Sequence, residues 1–103
     1  MNKYDEAIDR GIALLDAKVP AWCTKMQLDH LDLKHRQSCV LGQVYGEFED
    51  GERALGLGSE NAWEAVEYGF LLRFANMGGY PYLTRRWKER IRQHCSEHGE
   101  AHG

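Results

Sequence analysis

Cysteine and histidine have the widest chemical repertoire of the side chains in this sequence, and they gather in two places. At the C-terminal end stand His94, Cys95, His98 and His102, where His94 and His98, and again His98 and His102, are four residues apart and would share one helix face. Neutral imidazole and thiolate are zinc ligands. The group holds one cysteine, sits beside glycines at a chain end and has no neighbouring residues that would orient the rings. No resident metal and no other cofactor is therefore expected.

His30, His35 and Cys39 form a looser group with the residue types of a Cys/His catalytic pair, whose working form is a thiolate of depressed pKa. Closeness in sequence does not set geometry, and two exposed histidines with a buried cysteine is the simpler reading. Motifs for phosphate cradles, nucleophile elbows, zincins and dinucleotide sites are missing. The expectation is a protein without catalytic residues, with a Cys/His enzyme as the outlying alternative.

Charge offers a second kind of chemistry. Residues 1–72 hold seven Lys and Arg against thirteen Asp and Glu, a net −6, whereas residues 73–103 hold six against three, a net +3. The positive end is one predicted helix, in which Arg85, Arg86, Lys88, Arg90 and Arg92 surround a Leu83, Trp87, Ile91 stripe and could neutralise nucleic-acid phosphates. At 100° per residue, Lys88, Arg92 and Arg85 come together opposite the stripe, and Arg86 and Arg90 flank it near Glu89.

Arg85 and Arg86 stand near the helix N-terminus, where a cation costs roughly 0.3–1 kcal/mol, so a compensating partner is expected. It is either internal, with Glu47, Glu49, Asp50 and Glu52 as an acidic cluster of matching size, or external, as a phosphate backbone or an acidic protein. Charge runs are most often solvated or internally paired, and that reading is preferred. The acids of the first two-thirds also suggest a DNA mimic, for which a net charge of −3 is small. Trp22, Tyr80 and Tyr82 are either exposed anchors for a partner or a second copy, or they complete a small core.

These groups need elements to position them. The 103 residues suffice for one core. At 43% hydrophobic and 11% aromatic the chain is too apolar to be disordered. No apolar run is long enough to span a bilayer, and MNKYDEAIDR carries acids where a signal peptide needs a basic region, so a cytoplasmic location with no membrane partner is expected. Cys23, Cys39 and Cys95 are odd in number and lack a CxxC pair, which predicts three free thiols.

Tyr4, Ile8, Ile12, Leu15 and Val19 recur at helical spacing, predicting a helix over 3–18 with Asn2 as cap and Pro20 as stop. Residues 21–37 read as an irregular connection containing about one helical turn. Ser38 is expected to cap a short helix from Cys39 to Tyr45 ended by Gly46, with Gly42 and Gly46 admitting close backbone approach. The Gly- and acid-rich stretch from Glu47 to Gly58, with Asp50-Gly51 as a turn signal, reads as a loop. Asn61 and Glu64 have capping-box spacing for a helix carrying Trp63, Val66 and Phe70 and ending near Gly69. Residues 70–74 fit either more helix or a short strand. Met77, Gly78 and Gly79 form a break before a last helix that opens near Pro81 and carries Leu83, Trp87, Ile91 and Cys95.

The strings GIALLDAKVPAW, CVLGQVYGEFEDGERALGL, EAVEYGF and YLTRRWKERI resemble a group of small uncharacterised proteins of actinobacterial phages, over most of residues 8–92. The most specific part is Cys39-Val40-Leu41-Gly42-Gln43 leading to Tyr45-Gly46. The resemblance implies a phage or prophage origin and carries over no activity or catalytic residue. The basic run and the histidine-rich tail are particular to this sequence.

The expected fold is mostly α, a compact single domain of about four helices over residues 1–95, with a polar disordered tail over 96–103. Its core is expected to hold Ile8, Ile12, Leu15, Val40, Leu41, Val44, Trp63, Val66, Leu83, Trp87 and Ile91, and a short two-stranded β element near 70–74 is the one exception entertained. The expected function is that of a small phage-type accessory protein that binds a host macromolecule, a protein in preference, and modulates it. The alternative is nucleic-acid binding through Arg85, Arg86, Lys88, Arg90 and Arg92.

Overall fold

In the computed structural model, residues 3–57, 63–72 and 79–97 are described. Helix α1 spans Lys3–Lys18, with Asp5 and Glu6 at its positive end and Lys18 at its negative end, each where the helix dipole favours it. Its predicted stripe buries Ile8, Ile12 and Leu15. Tyr4, at the start of the same stripe, stays 36% exposed because it stands beyond the edge of the core. Asn2 lies outside the described residues. The helix stops before Pro20, and two 3₁₀ turns, Trp22–Lys25 and Leu28–His30, fill the segment predicted as irregular.

Helix α2 spans Val40–Tyr45, and its cap is Cys39 rather than Ser38. The Cys39 sulfur accepts the Gly42 amide at 3.3 Å, while the Ser38 carbonyl takes a bond from Gln43 Nε2 at 3.0 Å. Gly46 ends the helix at φ 99°, as expected of a glycine. A Cβ on Gly42 would lie 2.3 Å from the Arg36 carbonyl, so the close backbone approach expected of Gly42 and Gly46 is made at Gly42 alone, by the preceding loop, while Gly46 faces open space.

The largest correction concerns residues 47–58, predicted as a loop. Phe48–Leu55 is helix α3, and Asp50-Gly51 lies inside it. A Cβ on Gly51 would come 2.7 Å from Leu41 Cβ. Glycine is there because α3 presses against α2, not because the chain turns, and tertiary packing overrides the local turn signal.

Helix α4, Trp63–Glu67, ends before Gly69, whose φ of 78° turns the chain under α1. There Gly11 admits the Tyr68 carbonyl, since a Cβ would stand 2.2 Å from it. Asn61, the Trp63 side chain and residues 73–74 lie outside the described set, and Val66 is half-buried rather than core. Phe70 is buried in a bend and Leu71–Leu72 are irregular, so among the described residues there is no strand.

Helix α5 spans Gly79–Glu97 with Pro81 in its first turn. Gly79, read from sequence as part of the break, is its first residue; Met77 and Gly78 lie outside the described set. Leu83, Trp87, Ile91 and Cys95 are all buried, as the four-residue spacing predicts. The Trp87 indole N–H donates to the Gly69 carbonyl at 2.6 Å, and its ring stacks on Phe70. The expected tail begins later than Ser96, since the helix runs to Glu97; residues 98–103 lie outside the described set.

Cys23 and Cys95 form a disulfide with their Cα atoms 5.9 Å apart, and only Cys39 is free. The prediction of three free thiols is thereby corrected. Odd number and irregular spacing say nothing about which cysteines the fold brings together, and here the first 3₁₀ turn meets the end of α5. The fold class is mostly α, one small domain of five α-helices among the described residues, with a radius of gyration of 12.3 Å against about 13 Å expected at this length. No described helix is long and apolar enough to cross a membrane.

Candidate partner-binding surface

The seam between α1 and α5 takes up much of the chemistry that the sequence placed on the last helix. Arg86 donates from Nε and Nη2 to both oxygens of Asp5 at 2.8 and 2.9 Å, and also reaches Glu89. Arg90 donates from Nε and Nη2 to Asp9 Oδ1 at 3.0 and 2.6 Å. His94 Nε2 lies 3.0 Å from Asp16 Oδ2. Partners rise together along both helices, so α1 and α5 run parallel. The forked bonds from Arg86 hold the Asp5 carboxyl below its ordinary range against the opposing effect of burial, and raise the Arg86 guanidinium in turn.

Two of the five cations proposed to meet phosphate are therefore internally paired, as the preferred reading had it, but with Asp5 and Asp9 of α1 rather than with the Glu47–Glu52 cluster. That cluster has its own partners: Glu49 pairs with Arg36, Asp50 with Arg53, and Glu47 with the Gln37 amide. Arg85, Lys88 and Arg92 make no ion pair among the described residues and form the outer face of α5.

The three aromatic candidates separate. Trp22 is fully buried and cannot anchor a partner: its indole N–H donates to Asp16 Oδ1 at 2.8 Å and its ring stacks on His94. Of the two readings open for it, completing the core is the one that holds; Trp22 lies in the irregular segment, where no periodicity shows which way a side chain points. Tyr80 is half-buried, its hydroxyl accepting the Leu72 amide at 3.4 Å. Tyr82 is half-buried and meets Tyr4 edge to face at 5.4 Å between centroids, with the Arg85 guanidinium 5.5 Å above its ring.

Tyr4, which sequence reasoning assigned to the core stripe, is the large apolar side chain left exposed among the described residues. The available signal was its place in the first turn, where a stripe runs past the core it serves. Beside it opens a groove of about 420 Å³ between α1, α4 and the start of α5, with Tyr4, Ala7, Val66, Leu71, Leu72 and Leu83 on its apolar walls and Lys3, Arg10 and Glu67 as its charged members. Arg10 is positioned by its Nε bond to the Glu67 carbonyl at 2.8 Å.

Among the described residues, the Cys and His groups do not assemble a reactive centre. Cys95 is in the disulfide, His98 and His102 lie outside the described residues, and no three potential metal ligands gather among those described. Cys39 is 1% exposed, and burial pushes its thiol up, away from the depressed value that a nucleophile requires. His35 sits 3.4 Å from Asp32, and His30 is exposed. No protein-family model matches the chain, and neither do any curated protein or solved structure.

Proposed function

We propose that this is a small phage-type accessory protein that binds a host protein through the Tyr4–Tyr82–Arg85 row and the adjoining groove, and modulates that protein by occupying its surface. The supporting observation is the row itself: an exposed tyrosine braced by a second tyrosine under an arginine, on two helices cross-tied by ion pairs. Tyrosine and arginine are enriched at binding hot spots, and anchors held rigid before binding lose less entropy on docking. The phage connection rests on the sequence resemblance alone.

The test is capture of host proteins from an actinobacterial lysate, with and without nuclease, by the wild type and by a Tyr4→Ala, Arg85→Ala variant. A nuclease-resistant protein held by the wild type and lost with the variant is the expected result; equal retention by both refutes the surface.

Nucleic-acid binding is the second reading, favoured by the open Arg85, Lys88, Arg92 face. With Arg86 and Arg90 committed to α1, about three phosphates can be neutralised, which predicts only about a 40-fold loss of affinity between 50 and 200 mM salt.

We place the protein's action in the host cytoplasm, where thiol pools hold most cysteine pairs reduced. That placement requires α5 to stay docked when the Cys23–Cys95 bridge is open, as its ion pairs and its four buried residues would allow.

A further inference from the structure

We infer that the groove beside Tyr4 receives an acidic peptide segment with an apolar anchor: the anchor sits among the half-buried Val66, Leu71 and Leu72, and its flanking carboxylates face Lys3, Arg10 and Arg85. The inference rests on the protein-binding reading above and adds the chemistry of the partner.

Charge selects the partner. The first 72 residues have a net charge of −6, yet Lys3 and Arg10 both line this groove against the one acid Glu67, and Arg85 stands over the ring that touches Tyr4. A local reversal of sign around an apolar cleft repels basic partners and steers acidic ones. Lys3 and Arg10 are not consumed in the fold as Arg86 and Arg90 are: both are exposed, and the bond that Arg10 makes to the Glu67 carbonyl uses Nε and leaves its terminal nitrogens for a ligand.

Size and shape favour a segment of chain. About 420 Å³ lies within the usual 300–1,000 Å³ of ligand pockets, enough for the anchor, and the Tyr4–Tyr82–Arg85 row extends the contact past the rim. The competing occupant is a second copy of this chain presenting its own acidic segment around Phe48, in which Glu47, Glu49 and Asp50 flank an aromatic ring.

The experiment is selection of a randomised peptide library on the disulfide-intact protein, followed by titration of the synthetic winners into the wild type, Lys3→Glu, Arg10→Glu, Tyr4→Ala and, as a control, Lys34→Glu. Lys3→Glu is the decisive variant, because an acid in the first turn of α1 is favourable to the helix and the fold is retained. The expected winners carry an apolar residue beside two or more acids and bind Lys3→Glu and Arg10→Glu at least about tenfold more weakly than wild type, with Lys34→Glu unchanged. Neutral or basic winners that still need Tyr4 overturn the acidic-segment inference and leave the protein-binding reading standing. Winners indifferent to Tyr4, or no enrichment, overturn both, and light scattering that shows a dimer abolished by Lys3→Glu replaces the peptide with a second copy.

Discussion

At the scale of single residues, the pairing that decides most is Asp5 with Arg86. Asp5 is the buried charged residue of the described core, and a buried carboxylate persists only with its charge answered. Its carboxyl lies below the ordinary value of 3.8 in the folded chain. The pair therefore contributes its full stability above that unfolded value, and loses it as the pH falls through the lower folded one. Thermal melts of wild type and Asp5→Asn should show the variant several degrees lower near neutral pH, with the gap closing below about pH 4. A gap of constant width down to strong acid would mean that Asp5 acts through packing and not through charge.

At the scale of elements, α3 is the test of how packing overrules local preference. On propensity alone, replacing Gly51 by alanine in a helix gains about 1 kcal/mol. In this fold the new methyl would stand 2.7 Å from Leu41 Cβ and 3.1 Å from the Tyr45 ring, so α2 and α3 must separate. Gly51→Ala is expected to destabilise by about 1–3 kcal/mol in urea unfolding; a stabilised variant would show that α3 does not press on α2. The same logic explains Gly11, whose missing side chain admits the Tyr68 carbonyl and brings α4 under α1 beside the candidate groove.

At the scale of the whole molecule, the Cys23–Cys95 bond closes a loop with a sequence separation of 72 residues, which constrains the unfolded chain by about 4 kcal/mol on the chain-entropy argument. Reduction should lower the melting temperature without abolishing the helical circular dichroism, because Leu83, Trp87 and Ile91 stay buried and Arg86 and Arg90 keep their partners. Alkylation counts check the assignment: none in the native oxidised protein, where Cys39 is 1% exposed, one when it is unfolded without reductant, and three after reduction. Three reactive thiols in the unfolded, unreduced protein would show that the bond is absent, and loss of helix on reduction would exclude a role in a reducing cytoplasm.

The elements whose residues repeat at the helical period were legible before any fold was known. Ile8, Ile12 and Leu15, and Leu83, Trp87, Ile91 and Cys95, could be assigned to buried faces because a regular backbone turns spacing directly into direction. Pro20 and Pro81 marked a stop and a start for equally local reasons. Where the backbone is irregular that link fails, and Trp22, open from sequence to either a surface anchor or a core position, is wholly buried. Where a residue's reason for being there lies on another element, local chemistry misleads: Gly51 signals a turn until α2 is in place, and Asp5 looks like a solvated acid until Arg86 arrives 81 positions later. The candidate surface was half legible, since Tyr82 and Arg85 could be picked from one helix, but Tyr4 and the groove exist only once α1 and α5 lie parallel and Gly11 lets α4 close beneath them. Pairing of cysteines, pairing of charges and the shape of a cleft are relations between distant parts of the chain, and only the tertiary structure sets those distances.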